Sequence, residues 1–282
     1  MDDRQTAHAM GIDDTYRVER TLARGQGGVT ELVSIDGIGP FVRKKIPSQL
    51  AQRNVWAALS ACTNPRLPHV EATYELPDHF VVVYDYVSGR PLEHVVQQQG
   101  KLPERTATQL ICQLCDAVTE LHRHGIIHRD ITPSNVIVAD DGAHLVDFGI
   151  AMGEGESHVT RTGLVMGTPG FIAPEIIEGA ESDEMTDWWS VASVLAFAAT
   201  GAPVFGTKPM MAVLEREASG NANLTGLPAS TMAAFRSALN PDRSKRCTPD
   251  QLLNAIAVDA LDPNVWQGTQ AGPFAAEAEA EE

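Results

Sequence analysis

The chain changes texture near Gly100, and nothing else in the sequence bounds its fold as tightly. Before that point, from Tyr16 to about Val87, apolar residues come in short runs broken by Gly and Pro: Val29–Val33, Pro40–Ile46 and Phe80–Val87. Short apolar runs bounded by turn formers predict strands. One segment, Ser48 to Cys62, is rich in Ala, Leu and Gln and predicts a helix. Beyond Gly100, Leu110, Ile111, Leu114, Cys115, Val118 and Leu121 recur at helical spacing, with Gly125 as the stop. Trp188 to Ala199, interrupted by Ser190 and Ser193, predicts a buried core helix and falls short of the roughly 20 residues that a bilayer span needs. Thr248-Pro-Asp-Gln251 places a cap, a first-turn Pro and a Gln ahead of Leu252, Leu253 and Ile256, which predicts the last helix. The fold class is therefore α+β, with a small β-rich lobe before a larger helical one. A chain of 282 residues has room for both.

Chemistry-bearing residues gather where the second lobe begins. His128-Arg-Asp-Ile-Thr-Pro-Ser-Asn135 leads into the apolar strand Val136-Ile-Val138. After the Asp140-Asp-Gly142 turn, Leu145-Val-Asp-Phe-Gly149 forms a second strand. Two acids and an amide thus meet at one hairpin. Phosphoryl transfer needs such a set: a carboxylate to take the hydroxyl proton, and hard oxygens for a magnesium ion that neutralises phosphates.

In order and spacing these residues resemble the catalytic loop and metal-binding tripeptide of protein kinases: His-Arg-Asp130, Asn135 and Asp147-Phe-Gly. Gly167-Thr-Pro-Gly-Phe-Ile-Ala-Pro-Glu175, then Asp187-Trp-Trp-Ser190, then Arg246 follow in family order, and the resemblance covers about residues 15 to 257. It is closest to the bacterial Ser/Thr kinases that resemble eukaryotic ones. The resemblance implies a bilobal kinase fold with ATP and Mg2+ (or Mn2+) as cofactors and a protein substrate with a Ser or Thr acceptor. Asp130 is then the catalytic base, Asn135 and Asp147 the metal ligands, and Glu175, Arg246 and Asp187 structural residues, with Glu175 paired to Arg246. Thr168 matches the threonine that accompanies Ser/Thr specificity. The acceptor groove implied by residues 167–175 sets the chain apart from small-molecule phosphotransferases of the same fold.

Nucleotide contacts follow from the same likeness. Gly25-Gln-Gly-Gly28 keeps two glycines of the family's phosphate loop, with Thr30 in place of the third, so Gly25, Gly27 and Gly28 are the expected phosphate cradle and Leu22 and Val42 the adenine roof. Taken alone, the loop is equally a plain hairpin turn. Lys44 and Lys45 compete to anchor the phosphates. The residue two before Lys44 is Val42, which suits an adenine pocket, whereas the one two before Lys45 is Arg43, which would bury a charge. Lys44 is the choice. Tyr84 is the expected gatekeeper, and the backbone of Asp85 and Val87 the expected hinge.

Two departures bear on activity. No Glu occurs between Glu31 and Glu71, so the small-lobe helix cannot supply the family's partner for the lysine. Either another acid such as Asp147 orients Lys44 or the lobe is assembled differently. Thr132 stands where the catalytic loop usually carries lysine, and losing such a stabiliser costs on the order of 10²–10³ in rate. The alternative reading is a pseudokinase acting as a nucleotide-binding or scaffolding module.

The segment Ser157 to Gly163 holds Thr160 and Thr162, which resemble activation-loop phosphorylation sites, here autophosphorylated, with Arg129 as the phosphate's partner. The bland alternative is an unmodified exposed loop. A net charge of −16 argues against nucleic acid and against a polybasic membrane anchor. The sparse cysteines, at 62, 112, 115 and 247, and a start without an apolar stretch predict a cytoplasmic protein. Cys112 and Cys115 have metal-ligand spacing, but with no second such pair they read as buried thiols. Relatives dimerise through the small lobe, and a homodimer here rests on that resemblance alone. The expected organisation is a flexible N-terminus (1–14), a small lobe (15–87, hinge 85–87), a large lobe (88–257) and an acidic, disordered tail (258–282).

Overall fold

The structure is a computed structural model describing residues 11–25, 27–148 and 167–260. Strands β1 (Arg17–Gly25), β2 (Gly28–Ile35), β3 (Ile38–Pro47), β4 (Val70–Glu75) and β5 (His79–Asp85) form one antiparallel sheet in the order β1-β2-β3-β5-β4. β1 is exposed along its whole length, whereas Phe80 to Tyr84 of β5 are all buried, so the lobe's core lies toward the other edge.

Alternation along β3 gives the sheet two working faces. In register, Val42 lies opposite Leu32 and Tyr84, and Lys44 opposite Thr30 and Val82. Arg43 and Lys45 point the other way. Arg43 is 4% exposed, yet its charge is matched: Glu31, its cross-strand neighbour, accepts at 2.8 Å and Asp13 at 2.9 Å. Asp13 comes from α1, a helical turn over residues 11–15, and also binds Lys45 and accepts from Tyr74 Oη (2.8 Å). Burial pushes the Asp13 carboxyl up, but the bonds from Lys45 and Tyr74 and the Arg43 charge outweigh it and hold it below the ordinary value. Within the N-terminal stretch 1–14, expected to be flexible, Asp13 is tied to the sheet by these contacts.

The small-lobe helix α2 (Arg53–Leu59) is shorter than the expected Ser48–Cys62. Ser48 N–H donates to Asp78 O and Leu50 N–H to Pro47 O, which commits 48–50 to a turn, and i→i−3 bonds from Ala61 and Cys62 tighten the other end. Trp56 and Leu59 are its buried residues.

After Asp85 the chain enters the large lobe. A small sheet of β6 (Arg90–Pro91), β7 (Val136–Ala139) and β8 (Gly142–Leu145) flanks the helices α3 (Leu92–Gln99), α4 (Glu104–Arg123), α5 (Pro174–Ile177), α6 (Glu184–Thr200), α7 (Met210–Ser219), α8 (Ala229–Ala238) and α9 (Pro249–Ala260). α6 is the core helix expected from Trp188–Ala199, with every residue from Val191 to Ala199 buried. It starts on a capping box between Asp183 and Thr186. The Thr248–Gln251 box is formed too, with Thr248 N–H on Gln251 Oε1 (2.9 Å) and Gln251 N–H on Thr248 Oγ1 (3.3 Å). α9 runs on to Ala260, so the first residues of the expected tail are helical. Cys115 is buried but Cys112, three residues along α4, is exposed. No helix among the described residues is long and apolar enough to cross a membrane.

Candidate active site

Asp187, on α6 and 2% exposed, anchors the loop between α4 and β7. It accepts from His128 N–H (2.8 Å) and Arg129 N–H (3.0 Å), with His122 Nε2 at 2.9 Å. Those bonds hold Arg129 at φ 70°, a left-handed conformation that a side chain adopts only when its surroundings over-determine it. Beyond it, Asn135 Nδ2 donates to both the carbonyl and Oδ2 of Asp130 at 2.9 Å, which fixes the Asp130 carboxylate and leaves Asn135 Oδ1 for a cation. Burial pushes the Asp130 carboxyl above its ordinary value, toward the range where a carboxylate takes a proton efficiently. His128 is wholly buried, its ring 5.1 Å from that of Phe148, and burial lowers its pKa, so it packs as a neutral ring. Thr132 is buried and bonds Ser134 Oγ at 2.8 Å, so this position offers the cleft no charge.

Asp147 follows β8 at φ 54°. Val146 N–H donates to Asn135 O (2.9 Å), which sets the two metal-ligand candidates on adjoining backbone. Lys44 Nζ, arriving from β3, lies 2.8 Å from Asp147 Oδ1, while Lys45 is bound to Asp13 on the far face. Of the alternatives left open by the missing glutamate, this geometry is the one in which Asp147 orients Lys44.

Trp56 occupies the interior that the small-lobe helix turns toward the site. Its indole stacks on Tyr84 (centroids 6.1 Å apart, planes at 21°) and meets Phe148 edge-on (6.4 Å, 78°). The indole N–H is buried without a protein partner. α2 carries no carboxylate, and the side chain it sends into this interior is an indole. The sequence holds one hint of this, a lone aromatic residue in a helix that has no acid.

The cleft residues suit ATP and magnesium. Asn135 Oδ1 and the half-exposed Asp147 carboxylate are hard oxygen donors beside a lysine ammonium. Val42 and Tyr84 are buried and face each other in register, whereas Leu22, in an irregular stretch of β1, is 38% exposed. Gly25 pairs with Gly28 where β1 turns into β2, with Gly27 between them. Gly28 sits at φ 114°, and a Cβ there would lie 1.9 Å from Lys45 O, so this hairpin closes against β3 only with glycine. At the hinge, Asp85 N–H is committed to His69 O (3.0 Å), leaving that residue's carbonyl and the Val87 backbone as the candidate adenine contacts.

A pocket lined by Arg129, Thr132, Thr168 and Ile172 opens beside Asp130. Glu175 and Arg246 form a bidentate pair at 2.8 and 2.7 Å. Thr160 and Thr162 lie outside the described residues.

Beneath the groove sits Glu217 of α7, fully buried, which sequence reasoning passed over. It shares the buried face of Val213, one turn earlier, and a charge on such a face is the signal that could have found it. Its Oε1 accepts from Gly170 N–H and Ile172 N–H, both at 2.9 Å. Burial pushes the carboxyl up to about 7, against the lowering effect of those two N–H groups. An acid whose pKa is raised by folding stabilises fully below its unfolded value and loses that contribution as pH rises through the folded one. Wild type should therefore lose stability between about pH 4.5 and 7, by on the order of 3 kcal/mol, relative to Glu217→Gln. Denaturant melts of both at pH 5 and pH 8 check this; a gap independent of pH would remove Glu217 from that titration.

The Protein kinase domain family matches residues 16–256. Among curated relatives, the serine/threonine-protein kinase AfsK of Streptomyces coelicolor is 34% identical over 174 residues, covering 61% of this chain and 22% of its own length. The probable serine/threonine-protein kinase pknA2 of Bifidobacterium longum is 30% identical over 65% of this chain and 26% of its own length. Protein kinase 3 of Dictyostelium discoideum, 29% identical, covers 90% of this chain and 30% of itself. The chain thus spans about a quarter of the length of the relatives it matches. With its sheet-and-helix lobes, pinned catalytic loop and matched stretch of residues 16–256, the chain belongs to the protein kinase domain family.

Proposed function

We propose that the chain is a Ser/Thr protein kinase that moves the γ-phosphoryl group of ATP to Ser or Thr hydroxyls of a protein. One observation carries the reading: Lys44 meets Asp147 at 2.8 Å, Asn135 meets Asp130 at 2.9 Å, and the bond from Val146 N–H to Asn135 O (2.9 Å) sets the two pairs side by side around one cleft. Magnesium held by Asn135 and Asp147 would neutralise the phosphates. Asp130 accepts the hydroxyl proton as the oxygen bonds to phosphorus and ADP departs. Lys44 orients the phosphates, and Asp187 keeps the base in place. Phosphorylation of Thr160 or Thr162 by the chain itself would pair with Arg129, and the setting is cytoplasmic.

The purified chain, given labelled ATP, magnesium and a generic acceptor protein, should place label on Ser and Thr. ATP binding without any transfer would instead leave a nucleotide-binding module. Within that assay Lys44→Met lowers transfer by about 10²–10³-fold, the scale of one lost electrostatic stabiliser. Lys45→Met, on the opposite face, stays within a few-fold of wild type. The reverse ranking would exchange their roles.

A further inference from the structure

A second cluster of metal-ligand types lies where the loop leaving α2 meets the end of α4. Cys62 belongs to that loop, and Glu120 and His124 lie one turn apart at the C-terminus of α4. One ligand atom from each, the Cys62 Sγ, a Glu120 carboxylate oxygen and a His124 ring nitrogen, lies within 4.8 Å of the other two. None of these residues has a part in phosphate transfer, so a site built from them stands independently of the kinase reading.

Several contacts prearrange the cluster. Glu120 Oε1 accepts from Thr63 N–H at 3.2 Å, which draws the backbone beside Cys62 onto α4, and lies 3.5 Å from His124 Nε2. Glu120 is 17% exposed and His124 32%, a partly shielded position with a route for an ion to enter. The thiol's hydrogen bond to the backbone is a long one, 3.7 Å from Sγ to Ala58 O. The cluster is carried by its geometry: a thiol, a carboxylate and an imidazole converge on one point from a loop and a helix end. Arg123 lies 3.8 Å from Glu120 Oε2, but its side chain is 72% exposed and too solvated to serve.

We propose that Cys62, Glu120 and His124 form a zinc site that fastens the loop after α2 onto α4. The donor set is one sulfur, one imidazole nitrogen and one carboxylate oxygen. It suits a borderline-soft ion such as Zn2+, unlike the all-oxygen donors offered by Asn135 and Asp147. Zinc bonds of about 2.0–2.3 Å place tetrahedral ligand atoms about 3.3–3.8 Å apart, so the three side chains need contract by only about 1 Å, within reach of rotamer adjustment. Water fills the fourth position. Binding converts the thiol to thiolate and releases one proton to solvent for each Zn2+ bound. Because Cys62 follows the helix that carries Trp56, the ion would tie that helix to the large lobe.

Cobalt(II) is the probe. The full chain, stripped with chelator, should bind one equivalent of Co2+ with a thiolate-to-cobalt charge-transfer band in the near ultraviolet. Zn2+ should displace it and Mg2+ should not. Cys62→Ser should abolish the band. His124→Gln, which retains the thiol, should weaken Co2+ affinity at least about tenfold, since even outer partners of metal ligands cost that much. Cys112→Ser should leave the band intact. Zn2+ should raise the Tm of wild type and of Cys112→Ser, but not of Cys62→Ser. Absence of the band in wild type overturns the site, as does a band that survives Cys62→Ser or depends on Cys112. If Cys62→Ser unfolds, the His124→Gln titration decides alone, and unchanged affinity there overturns the proposal.

Discussion

Asp130→Asn should lower phosphate transfer by about 10²–10⁴-fold, the usual worth of a positioned general base, while ATP affinity stays near that of wild type. The substitution keeps shape and removes basicity. Little else should move, because the loop's backbone is held from α6 by Asp187 rather than by Asp130. The amide carbonyl can still accept from Asn135 Nδ2. Initial rates with labelled ATP, alongside nucleotide binding by calorimetry, separate the two effects. A variant as fast as wild type would take Asp130 out of the chemistry, and one that lost ATP affinity in proportion would make it a binding residue. In wild type the raised Asp130 pKa adds a signature. Activity should fall on the acid side at a pH above that of an ordinary aspartate, because the protonated carboxyl no longer accepts the hydroxyl proton.

Trp56→Ala carries the largest expected loss of stability, about 3–5 kcal/mol. The side chain is 1% exposed and bridges Tyr84 of β5 and Phe148 of the large lobe, so its removal opens a cavity bounded by both lobes. Trp56→Phe should recover much of the loss, because the indole N–H makes no protein hydrogen bond that a phenyl ring would forfeit. Denaturant melts of the three proteins give the ranking. A loss below about 1 kcal/mol for Trp56→Ala would mean the wedge collapses without cost. The same variant should slow transfer, since Phe148 adjoins Asp147.

Local features were legible in the sequence because local rules govern them. The Thr248–Gln251 cap, the α6 core helix and the β3 alternation that divides Lys44 from Lys45 need only near neighbours and a period. The loop from His128 to Asn135 stood out in the sequence because phosphoryl-transfer chemistry restricts residue type and order. Long-range partners were not. Residues 48–50 leave the helix because of Asp78, Arg43 tolerates burial because of Asp13, and Glu217 reaches the groove across 45 positions. No window of a few residues contains these causes. The missing glutamate was visible as an absence, but that an indole would fill the interior and Asp147 hold the lysine depends on how two lobes close together.

The clamp at Asp13 bears on where this domain can be cut. Family likeness begins at residue 16, downstream of Asp13, so a fragment trimmed to that boundary would shed the clamp while keeping every shared motif. Arg43 would retain Glu31 as its remaining carboxylate, and Lys45 and Tyr74 would each lose an acceptor. Such a fragment should denature at lower temperature than one beginning before residue 11, and a protease should reach its sheet sooner. The boundary of resemblance thus falls inside the set of contacts that hold this sheet.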